Sequence, residues 1–117
     1  MATMEKRLLS GSTQGKGIKV AATGTAGDLV HAAVAGTSNI DEIWLYAVNS
    51  SGSSVKLTLE WGEATAPDGN IEVTIDGEAG LVLIAPGLLL QNSLEVRAFA
   101  GTGDLILIHG FVNRITA

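Results

Sequence analysis

The segment SVKLTLEW, Ser54–Trp61, alternates apolar and polar residues without a break. Val55, Leu57, Leu59 and Trp61 fall on one side, Lys56, Thr58 and Glu60 on the other. A period of two puts successive side chains on opposite faces of an extended chain, so the pattern predicts a half-buried β-strand. Asn70–Asp76 repeats it, with Ile71, Val73 and Ile75 set against Glu72 and Thr74. Between the two lies GEATAPDGN, whose Pro67-Asp68-Gly69 suits a tight turn because proline presets φ and glycine tolerates positive φ. The pair reads as a hairpin with a loop longer than two residues. Long helical periodicity is hard to find anywhere in the chain.

Other segments are apolar on both faces: Ile43–Val48, Leu81–Ala85 and Leu105–Ile108. A strand without a polar face is sandwiched inside its domain or covered by another subunit. Several such runs in 117 residues exceed what one small two-sheet domain easily hides, which points to an assembly. Weaker strands are expected at Gly17–Thr23, Asp28–Ala35 and Leu94–Ala100. The Ala-rich stretch 26–36 also admits a short helix capped by Asp28, but Val30, Val34 and the flanking Thr-Gly pairs favour a strand. Asp104–Ile115 is one long strand bent at Gly110, or two. The sum is an all-β, single-domain antiparallel β-sandwich of about eight or nine short strands, jelly-roll or Greek-key-like. Residues 1–15 read as an N-terminal arm with a glycine hinge, and 16–117 as the sandwich domain.

Composition narrows the function classes. Hydrophobic residues make up 46% of the chain and aromatics 4%, so the core must come from Leu, Ile, Val and Ala. There is no cysteine, which removes disulfides, thiolate metal sites and thiol nucleophiles. The net charge is −5 and the seven cations are scattered, the opposite of the basic face that neutralises phosphates, so no nucleic-acid partner is expected. No membrane partner and no signal peptide are expected either: Glu5-Lys6-Arg7 is not followed by a long apolar stretch, and the Leu81–Ala85 run is too short to span a bilayer.

The motifs that could carry chemistry are weak. GSTQGKG, Gly11–Gly17, looks like a phosphate cradle, but a P-loop needs four residues before Gly-Lys, a hydroxyl after the lysine and a helix beyond. Here three residues intervene, Gly17 follows Lys16, and a strand pattern comes next. The stretch reads as an exposed turn. His31 and His109 lie in separate apolar runs and read as hydrogen-bonded structural groups or interface residues; no metal and no cofactor are expected. Glu60, Glu63, Asp68, Glu72, Asp76 and Glu78 cluster on the middle hairpin, where solvation and protection of a strand edge are the simplest uses for them. Asn49-Ser50-Ser51 matches a glycosylation sequon but reads as a polar turn. No catalytic residue and no enzyme activity are expected. Trp44 and Tyr46 share one strand face and are the candidate subunit interface, with a sugar-stacking platform that includes Trp61 as the alternative. The segment before the glycines offers Met4, Leu8 and Leu9 for apolar contact and Lys6 and Arg7 as cations for acidic partners, a candidate partner-gripping arm.

Taken in order, RLLSG, GKGIKVAAT, DEIWLYAVN, LTLEWG, LIAPGLLLQN and HGFVNRI resemble a group of small virion structural proteins of tailed bacteriophages. The likeness spans most of the chain and rests on strand-and-turn signatures. It implies a capsid decoration or minor head protein, made in the host cytoplasm and ending in the virion. Its implied partners are the major capsid protein and sister copies, with a trimer favoured. A neck, tail or head-fibre component, or a carbohydrate-binding module for host attachment, fits the same signatures.

Overall fold

A computed structural model describes residues 2–117. Met1, the first residue of the arm read from the sequence, lies outside the described residues. Nine strands run in order: β1 (Thr3–Leu8), β2 (Ile18–Val20), β3 (Asp28–Ala32), β4 (Ile40–Asn49), β5 (Val55–Trp61), β6 (Asn70–Ile75), β7 (Val82–Leu90), β8 (Glu95–Ala100) and β9 (Ile106–Thr116). No helix occurs among the described residues.

The strands form two antiparallel sheets. One has five strands in the order β1-β9-β4-β7, with β2 also paired to β9; the other is β3-β8-β5-β6. Setting β1 aside, the orders are 2-9-4-7 and 3-8-5-6. This is the double Greek-key connectivity of a jelly roll.

The core fills the space between the sheets. Ile43, Leu45 and Ala47 of β4, with Ile106, Ile108 and Val112 of β9, face Leu57 and Leu59 of β5 and Val96, Ala98 and Ala100 of β8, all buried. Fully burying an aliphatic side chain of this kind contributes roughly 1.5–3 kcal/mol. β4 shows why the layer closes where it does. Its inward positions run Asp41, Ile43, Leu45, Ala47, Asn49, so a polar residue stands at each end of three apolar ones. At one end Asn49 donates from Nδ2 to the carbonyls of Ser53 and Ile75, and its Oδ1 accepts from Ser51. That ties the SSGSS turn to the sheet and occupies the side chain of the sequon asparagine.

The last segment is one strand. At Gly110 it passes so close to β4 that a Cβ would land on the Trp44 carbonyl oxygen, which is why glycine is needed there. Pro86 lies in β7, which pairs only with β4, and an edge strand tolerates the missing donor. The 26–36 stretch is strand at Asp28–Ala32 and not helix.

The N-terminal segment differs from a free arm. Residues 3–8 pair in register with β9, from Thr3 opposite Thr116 to Leu8 opposite Phe111. Leu9 is 2% exposed and belongs to the core, so it anchors the segment and is not available to grip a partner. After β1 the chain turns back on Leu9, whose carbonyl accepts from the Ser12 amide (3.0 Å) and the Ser12 hydroxyl (2.8 Å). The glycine stretch is held at both ends. Gly11 donates its amide to the Val30 carbonyl (2.9 Å), and Gly17 lies flat against His109, where a Cβ would sit 2.8 Å from Nε2.

Candidate assembly interface

The outward face of the five-stranded sheet is built by cross-strand rows. Residues directly opposite in an antiparallel pair share a face. Met4, Ile115 and Ile40 form the first row, and Leu8, Phe111, Trp44 and Pro86 the third. His109, Tyr46 and Leu83 form the fourth; Leu107 and Val48 the fifth. Two rows carry charge: the second, Lys6, Asn113 and Glu42, ending on Leu89, and the fifth, where exposed Lys19 of β2 stands opposite Leu107. The 11–17 stretch packs against His109, Leu107 and Leu8 at one end of this face, and the rest of it carries no covering element. Met4 (63% exposed), Leu8 (58%), Leu89 (56%) and Leu83 (48%) stand in solvent. Contiguous apolar surface of this kind is rare on monomers and marks an interaction site.

The polar row is internally satisfied. Glu42 Oε1 accepts from the Trp44 indole N–H (2.8 Å) and from Asn113 Nδ2 (3.0 Å), and these two bonds hold its carboxyl below the usual range. Trp44 stacks on Phe111 with ring centroids 6.1 Å apart and planes 10° apart. Lys6 lies over the other part of the cluster, its Nζ 4.6 Å from the Phe111 centroid. The result is a braced aromatic patch at the middle of an apolar sheet face.

Of the residues singled out in the sequence, Met4, Lys6, Leu8, Trp44 and Tyr46 come together on this one face. Arg7 points to the opposite side of β1 and pairs with Glu5 at 2.6 Å. Trp61 is on the other sheet. Phe111, Ile115, Leu83 and Leu89 were not identified as site residues from the sequence. Their signal was there in the both-faces-apolar runs, but which of two apolar faces points outward is fixed only by register.

The carboxylates do not converge as one site. Glu60 and Glu63 line a shallow cavity of about 290 Å³ together with Glu95, Arg97 and Leu94. Glu60 is buried, and its two oxygens are taken by the chain itself: Oε1 accepts from the Gly27 amide (2.7 Å), Oε2 from the Thr25 hydroxyl (3.0 Å). Glu72 pairs with Lys56 and Asp76 accepts from Ser54. No group of three His, Asp or Glu placed to hold a metal ion occurs among the described residues. No helix among them is long and apolar enough to cross a membrane.

His31 and Asp41 form a buried pair that the sequence reading left separate. His31 Nε2 lies 2.8 Å from Asp41 Oδ2, and Arg114 clamps the same carboxylate with Nε on Oδ1 (2.8 Å) and Nη2 on Oδ2 (3.0 Å). The Val34 amide also donates to Oδ2. Burial pushes Asp41 up, but the hydrogen bonds from Arg114 and His31 and the arginine's charge outweigh it and hold the carboxyl below its ordinary range. Desolvation lowers His31, against the opposing pull of Asp41. A serine stands beside the ring, yet the arrangement is not that of a nucleophile and its base. The Ser10 backbone amide donates to Nδ1 (3.0 Å), while Ser10 Oγ accepts from the Ala32 amide (2.7 Å). Both ring nitrogens are committed to the fold, and the network assigns the proton to Nε2.

Comparison with protein-family models, curated proteins and solved structures returned no match.

Proposed function

We propose that this protein is a structural component of a bacteriophage particle: a homo-oligomeric decoration protein that binds the outer surface of the major capsid shell and stabilises it. The observation that carries the reading is the uncovered apolar face of the five-stranded sheet. A stable monomer has little use for a row in which exposed Leu8 and Pro86 flank half-buried Phe111 and Trp44; a subunit of an assembly does. The resemblance of the strand signatures to small phage virion proteins supplies the setting and favours a trimer. A jelly roll is compatible with capsid components, but the fold serves lectins and cupins equally, so it adds little by itself.

A sister copy is the occupant of this face. Four strands abreast and ten residues long cover about 600 Å², close to the ~800 Å² per partner of a standard interface. Glu42, Asn113 and the Trp44 N–H already satisfy one another, so covering them leaves no unpaired group. Shell binding then falls to surfaces outside this face, with the exposed β1 edge as the grip. Several moderate contacts from one oligomer add through effective concentration. Bridging adjacent shell subunits raises the free energy needed to open the shell.

The test is reconstitution on empty shells of the major capsid protein. The wild-type chain is expected to co-sediment with the shells and raise their disruption temperature. Glu5→Ala with Arg7→Ala, which change β1 outside the sister-copy face, are expected to weaken shell binding while the isolated protein keeps its fold and its oligomer mass. Failure of the wild-type chain to bind shells would overturn the decoration role. Glycan-dependent quenching of Trp44 fluorescence would favour the attachment-module reading instead.

A further inference from the structure

The His31 cluster closes the end of the sandwich where the N-terminal strand leaves it. The strand has little else to hold it. Every residue of β1 is exposed, so its side chains bury little, and what fixes it is mainly the backbone ladder to β9, with Lys6 over the Phe111 ring. Net stabilisation from such bonds is about 0.5–1.5 kcal/mol each. Just past the ladder, the chain is pinned by Leu9 in the core, by the Ser10 amide on His31 Nδ1, and by the bonds of Ser10 Oγ to the Ala32 amide and of the Gly11 amide to the Val30 carbonyl. That second pin depends on protonation. With the Nε2 proton facing Asp41, Nδ1 is a lone-pair acceptor aimed at the Ser10 N–H. A proton on Nδ1 sets donor against donor at 3.0 Å.

We propose that His31 is an acid-sensitive latch for the N-terminal strand: its protonation at Nδ1 expels the Ser10 amide and loosens residues 3–8 from the edge of β9, with Leu9 staying in the core. The charged groups facing the ring are Asp41 from β4 and Arg114 from β9. Asp41 favours the imidazolium, whereas Arg114 and desolvation oppose it. From β8 the residue opposite His31 is Val96, which is buried and uncharged. Glu5 on β1 stands opposite Arg114, so departure of β1 also takes an anion away from that arginine. The ring resists protonation while the latch is shut and accepts a proton once it is open, so falling pH favours the open form. Release would free Met4, Lys6, Arg7 and Leu8 together and bare the 111–116 edge of β9 for pairing with another chain. This inference stands on the cluster alone and does not depend on the assembly reading.

Amide exchange on the full chain, expressed as protection factors at about pH 7.5 and about pH 5.0, tests it. The β1 amides are expected to lose protection by up to about thirtyfold, the full linkage factor for an imidazole of ordinary pKa freed on opening. Amides of β4 and β8 are expected to keep theirs. His31→Asn, whose Oδ1 replaces the accepting Nδ1 and does not titrate, should hold β1 equally at both pH values. Should that variant not fold, the imidazole ¹⁵N titration of the wild-type chain decides: its midpoint must coincide with the loss of β1 protection. Unchanged β1 protection at the lower pH, an equal loss in β4 and β8, a pH response that survives in His31→Asn, or midpoints that differ would each overturn the latch.

Discussion

The two outer faces of this sandwich are opposites. The four-stranded sheet turns Lys56, Thr58, Glu60, Glu72 and Arg97 outward, with Phe99 and Leu29 among them, and it draws a loop of its own chain down beside them. Glu60 holds the Gly27 amide and the Thr25 hydroxyl, while Arg97 donates to the Gly27 carbonyl. The five-stranded sheet turns Leu8, Phe111, Trp44, Tyr46 and Leu83 outward, and only its edge by Leu8, His109 and Leu107 has a loop against it. One face is closed by intramolecular hydrogen bonds; the other is left as apolar surface. The proposed sister copy is the molecule that would cover the side the chain leaves largely open.

The shared interior calibrates this contrast. Asp41→Ala strips the carboxylate from Arg114 and His31 and leaves buried donors without an acceptor. Denaturant unfolding is expected to show a loss of about 3–5 kcal/mol, the usual result of breaking a buried ion pair from one side. A loss under about 1 kcal/mol would mean the cluster is hydrated and not a structural clamp.

Tyr46→Lys places a charge in the middle of the open face. Self-association is expected to weaken by at least about thirtyfold, the effect of a hot-spot residue worth ~2 kcal/mol. Stability of the separated chain should stay within about 0.5 kcal/mol, as for other surface substitutions. An equal loss of stability and association would mean that the face belongs to the fold and not to a partner.

Glu60→Ala makes the complementary change on the closed face. Removing the acceptor of the Gly27 amide should cost about 1–3 kcal/mol of stability, with the 22–27 loop exchanging faster and the oligomer mass unchanged. Dissociation by this variant would erase the distinction between the two faces.

Much of the architecture was legible because period two is hard to disguise. SVKLTLEW and NIEVTI show one polar face each, and their pairing through the Pro67 loop follows the hydropathy alone. The β4 run, IWLYAV, was legible as a strand but not as to which side faced out, since Trp44 and Tyr46 are as apolar as Ile43 and Leu45. Its orientation comes from Asp41 and Asn49, whose inward placement depends on partners far away in sequence, such as Arg114 and Ile75. The pairing of the N-terminal segment is hidden for a related reason. MEKRL carries no inward face, so nothing local says that it pairs with β9; the ladder is backbone chemistry, which residue identity does not reveal. Leu9 differs from Leu8 only by where the turn puts it.

Sedimentation equilibrium of the wild-type chain tests the central claim most directly. A mass that is a multiple of 12.0 kDa at micromolar concentration, falling to 12.0 kDa in Tyr46→Lys, is the predicted result. A wild-type chain that stays at 12.0 kDa into the high micromolar range would contradict it.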